Sequence, residues 1–152
     1  MIELKIPPPV VALVSAGLMY LCHDFFAEFI VLVLDDRLLI ALLIAGLALL
    51  IDFLALCSFI KAKTTFNPIQ ASKVSALVTS GVYRFSRNPM YVGNLLFLSA
   101  WWVYLGTPLN VIFLVAYVLY INKFQIAPEE RILTERFSSQ YLDFCQRVRR
   151  WV

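Results

Sequence analysis

Charge is scarce in this chain of 152 residues: Asp, Glu, Lys and Arg make up 15%, against 61% hydrophobic residues. A soluble domain carries about 25% charged and roughly 45–50% apolar residues, so composition argues against a water-soluble globule. Histidine occurs once, at His23, and the three cysteines, Cys22, Cys57 and Cys145, have no C-x-x-C spacing. A zinc set needs several such ligands together and a disulfide framework needs cysteines that can meet, so free thiols and no metal are expected. Repeats and low-complexity tracts are absent, and the amino terminus offers one lysine and then prolines, without a small-residue cleavage site. No signal peptide is expected, and the first hydrophobic run is expected to stay.

What is present in quantity is long apolar runs. Crossing about 30 Å of hydrocarbon takes around 20 mostly apolar helical residues, because lipid offers no partner to an open backbone amide. The first run covers Val10 to Leu21, extendable to Leu34, and follows Pro7 to Pro9, which can begin a helix but not continue one upstream. The others cover Leu38 to Ile60, Met90 to Leu105 and Leu109 to Ile126, with Gly106, Thr107 and Pro108 as a tight turn that makes the last pair a hairpin. Residues 61–89 are too polar to span and too apolar for a plain linker, which predicts a segment lying at the interface. From Pro128 to Val148, Leu133, Phe137, Tyr141, Phe144 and Val148 recur every three or four residues, which predicts an amphipathic helix. The fold class expected is all-α: one integral membrane domain over residues 1–152, with four transmembrane helices, the interfacial connecting segment and a cytoplasmic carboxy-terminal helix.

Orientation follows from where the basic residues fall. With the amino terminus inside, twelve of the thirteen Lys and Arg residues lie on the cytoplasmic side, and only Arg37 disagrees. The connection after the first span instead carries Asp24, Glu28, Asp35 and Asp36. This distribution explains the net charge of +3 by topology, without a nucleic-acid partner. Both termini are expected in the cytoplasm.

Candidate chemistry gathers at the cytoplasmic ends of the last two spans. Asn88 and Pro89 look like an N-cap and a first-turn proline, so a helix would start there with free amides facing the interface. Arg84 and Arg87 stand just before it, as a cradle for a carboxylate or phosphate or as simple topology signals. Tyr91 and Gly93 follow, offering a ring with a polar tip and a close approach to backbone, or else an aromatic belt and a helix-packing residue. Glu129 and Glu130 open the tail helix. Helix polarity alone accounts for Glu129, whereas Glu130 falls on the apolar stripe and needs a ligand hydroxyl, an amine or an arginine. Asp52, inside the second span, is a functional candidate because an ionisable group there is costly; pairing with Lys61 or an arginine, or simple protonation, is the structural alternative. Asn122 and Tyr120 are pocket groups or interhelical glue.

At G-V-Y-R-F-S-R-N-P-M-Y-V-G (81–93), P-E-E-R-I-L-T-E-R-F-S-S-Q-Y-L-D-F (128–144) and R-R-W (149–151) the chain resembles the isoprenylcysteine carboxyl methyltransferases and the wider group of short membrane methyltransferases related to phospholipid methyltransferases. The resemblance covers roughly the second half. It implies a site for S-adenosylmethionine, with Arg87, Pro89, Tyr91, Gly93, Glu129 and Glu130 as cofactor-binding residues, and a lipid or lipid-linked hydrophobic methyl acceptor; by their positions Asn88 and Asn122 join the cofactor-binding candidates, and Asn88 and Asp52 are the catalytic candidates. Asn88 stands where the family has histidine, and it cannot act as a general base; Ser138 stands where the family has glycine. The other readings are a nicotinamide-dependent membrane reductase on a related scaffold and a non-catalytic membrane subunit. The small size favours a bacterial inner membrane, where protein prenylcysteine is an improbable acceptor.

Overall fold

A computed structural model describes residues 4–26, 36–62 and 76–152. The chain is helical: α1 (Pro8–Phe26), α2 (Arg37–Lys61), a 3-10 turn (Gly81–Arg84), α3 (Pro89–Leu105), α4 (Val111–Ile121), a π turn (Asn122–Ile126), α5 (Ala127–Phe137) and α6 (Ser139–Arg147). The expected continuation of the first span to Leu34 and most of the expected interfacial segment lie outside the described residues.

Among the described residues, three stretches are long and apolar enough to cross a membrane: Pro8–Phe26, Arg37–Lys61 and Pro108–Phe137. The remaining expected span, α3, has 17 residues, a length of about 26 Å, slightly under the usual hydrocarbon thickness. Burial is inverted relative to a soluble bundle. On α2, Ala41, Ala48 and Ala55 are buried, whereas Leu42, Leu43, Leu49 and Phe53 are more than 60% exposed. The three alanines recur every seven residues and form a smooth stripe on one face of α2, whose most extensive neighbour is α3. Small residues at the seam and large ones outside are what close helix packing in lipid requires. These features make the chain an integral membrane protein.

α1 is held against α3 and α4 by polar stitches at one end of the bundle. Trp101 Nε1 donates to the Ala16 carbonyl at 3.1 Å, Asn110 Nδ2 to the Met19 carbonyl at 3.1 Å, and His23 Nδ1 lies 2.8 Å from Thr107 Oγ1. The α3–α4 turn forms as expected: Gly106 ends α3 at φ 71°, a conformation glycine adopts without strain, and its amide bonds the Trp102 carbonyl. The three cysteines are free thiols.

The carboxy-terminal half departs from expectation in two places. Pro128 does not begin a separate helix, because backbone dihedrals stay helical from α4 through the π turn into α5. A proline inside a helix leaves the carbonyl four residues earlier without its amide. Here that carbonyl, on Phe124, accepts from the Leu4 amide at 3.1 Å, and Gln125 Nε2 donates to the Ile6 carbonyl at 2.6 Å. The amino-terminal segment is thereby fixed to the π turn. The second departure is at Ser138, where φ 46° and ψ −118° break the expected tail helix into α5 and α6. The apolar stripe still finds its cover. Tyr141, Phe144 and Val148 bury against Ala55, Val78 and Tyr83, with Leu133 and Phe137 at the margin.

Candidate functional site

The start of α3, the π turn, α5 and the carboxy-terminal residues converge at one end of the bundle. Tyr91 is buried in the first turns of α3, and its hydroxyl donates to Glu129 Oε1 at 2.5 Å. Glu130 lies between two guanidinium groups: Arg150 binds it through both nitrogens, Nη2 to Oε2 at 2.6 Å and Nε to Oε1 at 3.1 Å, and Arg87 Nη1 stands 3.2 Å from Oε1. The bidentate contact is the strong form of an arginine–carboxylate pair. Its hydrogen bonds, more than its charge, raise the Arg150 guanidinium above its ordinary value. Arg87 also contacts the Cys145 thiol on α6.

The last residues cross this cluster. The Arg87 amide donates to the Arg149 carbonyl at 3.0 Å, Asn88 Nδ2 to the Arg150 carbonyl at 2.9 Å, and Trp151 Nε1 to Asn122 Oδ1 at 3.0 Å. Arg87, Asn88, Glu130 and Asn122 are thus drawn together by the R-R-W segment.

Several expectations change in detail. Asn88 occupies the N-cap position of α3, but its side chain makes no capping bond. The Tyr91 and Val92 amides bond its backbone carbonyl instead, at 3.0 and 3.1 Å. Pro89 has no N–H, so the helix start offers fewer open amides than its sequence promised. Glu129 is no helix-end acid, since the helix does not begin there, and it faces Tyr91. Glu130 satisfies the requirement for an arginine within the protein. The close approach that Gly93 permits is taken by Asp52: a Cβ at position 93 would lie 2.0 Å from Asp52 Oδ1. Neither Lys61 nor an arginine pairs with Asp52 among the described residues, and Asp52 Oδ1 is buried without a hydrogen-bond partner. Tyr120, on the π-turn side, stacks at a tilt against Phe124, and its hydroxyl is likewise buried without a partner.

Tyr83 and Arg150 were not among the residues singled out for binding. Tyr83 is buried between the two acids. Burial holds its hydroxyl well above the ordinary value, and the charges of Glu129 and Asp52 push it the same way. An apolar stripe carrying one glutamate signalled a missing arginine, but three arginines lie within the last six residues and only folding selects Arg150. Nothing in the sequence pairs Tyr83 with α5 or α2.

The "Phospholipid methyltransferase" family profile matches residues 37–140, which takes in α2, α3, α4 and both glutamates. The chain belongs to the phospholipid methyltransferase family. Among curated relatives, an uncharacterized protein of Haemophilus influenzae is 43% identical over 63 residues, 41% of this chain and 100% of that protein. The protein-S-isoprenylcysteine O-methyltransferase of Saccharomyces cerevisiae is 37% identical over 78 residues, 47% of this chain and 30% of the enzyme. That of Xenopus laevis is 34% identical over 108 residues, 64% of this chain and 35% of the enzyme. The chain therefore spans about a third of the named methyltransferases it matches. The matched residues include Arg87, Tyr91, Glu129 and Glu130, whereas Arg150 lies beyond them.

Proposed function

We propose that this protein transfers a methyl group from S-adenosylmethionine to a lipid or lipid-linked hydrophobic acceptor at the cytoplasmic face of the membrane. The carrying observation is the convergence of Tyr91, Glu129, Glu130 and Arg87 where α3 begins. The residues fit the donor's two ends. Arg87 Nε is a buried donor and Asp52 Oδ1 a buried acceptor, and neither has a partner; an amino-acid moiety and a charged sulfur ask for groups of these two kinds.

When bound, S-adenosylmethionine supplies an electrophilic methyl carbon. Arg87 would hold its carboxylate, with the segment through Pro89 fixing that arginine in place. Glu129, which uses one oxygen for Tyr91, is the better placed acid for ribose hydroxyls, because both Glu130 oxygens are already bonded to arginine. Tyr91 offers its ring face beside this acid, and the Asn122–Trp151 contact closes the π-turn side. Asn88 is a positioning residue: its amide group donates to the tail carbonyl and has no basic nitrogen to accept a proton. Methyl transfer needs alignment and exclusion of water more than a protein nucleophile, and a site at the edge of the bilayer supplies both.

In this reading residues 1–152 form one domain, α3 is the fourth span, and the basic end of the bundle faces the cytoplasm of a bacterium, in keeping with the Haemophilus influenzae relative. The test is calorimetric titration of the detergent-solubilised protein with S-adenosylmethionine, NADPH serving as the comparison ligand. It is paired with labelled-methyl transfer into a total lipid extract and mass identification of the product. Binding of S-adenosylmethionine alone is expected, weakened about ten-fold or more by Glu129→Gln and Tyr91→Phe, as befits loss of a charge-assisted hydrogen bond. Equal affinity in wild type and both variants would remove these residues from the site.

A further inference from the structure

The stripe of α2 that packs against α3 is interrupted by one charged residue. Ala48 and Ala55 are fully buried on the inner face of α2. Asp52 lies four residues after the first and three before the second, so it shares their face. Its carboxylate is wedged against the α3 backbone at Gly93, within 2.0 Å of where a side chain there would begin. That contact is half a turn beyond Tyr91, whose hydroxyl binds Glu129.

A carboxylate inside a membrane helix normally has a cation or a hydrogen-bond donor. Among the described residues Asp52 has neither on its buried oxygen. Arg87 and Arg150 are engaged by Glu130. Protonation alone would leave the position suited to leucine or alanine, as at every other point of the stripe. Glycine at 93 leaves the carboxylate the space that a Cβ there would fill. An anion held in an apolar wall, with no cation paired to it among the described residues and near the proposed donor pocket, is complementary to a cation brought by the ligand.

Building on the proposed function, we infer that Asp52 is the counter-charge for the sulfonium of the methyl donor, a positioning residue that separates the charged donor from its neutral thioether product. A carboxylate near the sulfonium favours the charged ligand and is indifferent to the product, so it also promotes product exchange after each turnover. Gly93 serves the same end by letting the carboxylate reach past α3.

The experiment is titration of wild-type protein and Asp52→Asn, in detergent, with S-adenosylmethionine and with S-adenosylhomocysteine. Asparagine keeps the shape and removes the charge. Affinity for S-adenosylmethionine should fall on the order of ten-fold in Asp52→Asn, the scale on which an opposite charge at about 4–6 Å shifts a neighbouring equilibrium. Affinity for S-adenosylhomocysteine should not change, which also shows that the variant is folded. A parallel loss for both ligands, or no loss for either, would overturn the inference while leaving the methyltransferase reading intact. Wild-type protein that binds neither ligand would overturn both.

Discussion

Ser138 carries a backbone conformation, φ 46° and ψ −118°, that a residue with a side chain rarely adopts. It is held there because the Ser138 amide closes α5 onto the Thr134 carbonyl at 2.9 Å while its own carbonyl accepts the Leu142 amide of α6 at 3.2 Å. Such a conformation costs on the order of 1–3 kcal/mol for a non-glycine residue, and the extra freedom glycine has in the unfolded chain offsets only about 0.5–1 kcal/mol of the relief. Ser138→Gly should therefore stabilise the protein by about 1 kcal/mol and leave cofactor affinity unchanged. A thermal melt in detergent reads this directly, and a midpoint that falls would count against strain at this position.

The π turn sets the angular phase of α5 relative to α4. A π turn accommodates one more residue than the α-helix does, so it rotates everything after it by about 100°. Glu129 meets Tyr91, and Glu130 meets Arg87, only in the rotated phase. Deleting Lys123, which is exposed within the turn, should restore regular α-helix and turn both acids away from α3. Binding of S-adenosylmethionine should drop by at least ten-fold, while circular dichroism still shows a helical protein. Retained affinity in this deletion would mean that the phase of α5 is not what builds the site.

For the molecule as a whole, the hydrogen bonds of residues 4–6 to the π turn and of residues 149–151 to the α3 start put both terminal segments at one end of the bundle. The His23–Thr107 contact and the α3–α4 turn mark the other end. Lys5, Lys61, Arg87, Lys123 and the tail arginines fall at the first end, and Asp24, Asp36 and Arg37 at the second. Val152 is 75% exposed. Val152→Cys, in a background whose three native cysteines are serine, should react with a membrane-impermeant maleimide in inside-out vesicles and stay unlabelled in right-side-out ones. The reverse pattern would invert the orientation.

Hydropathy and charge placement determined that this chain is a helical membrane protein, roughly where its apolar helices begin, and which end bears most of the basic residues, because lipid enforces those properties on contiguous sequence. The α3–α4 turn was legible for the same reason: Gly106 and Pro108 are local signals. Pairing was not local, and tertiary structure decided it. The assignment of Glu129 to Tyr91 depends on a π turn that has no distinctive residue pattern, and the choice of Arg150 for Glu130 depends on where the tail crosses α3. The position of Asp52 against Gly93 follows from the register of two helices joined by a long connection, which the alanine stripe fixes only once α2 and α3 are packed.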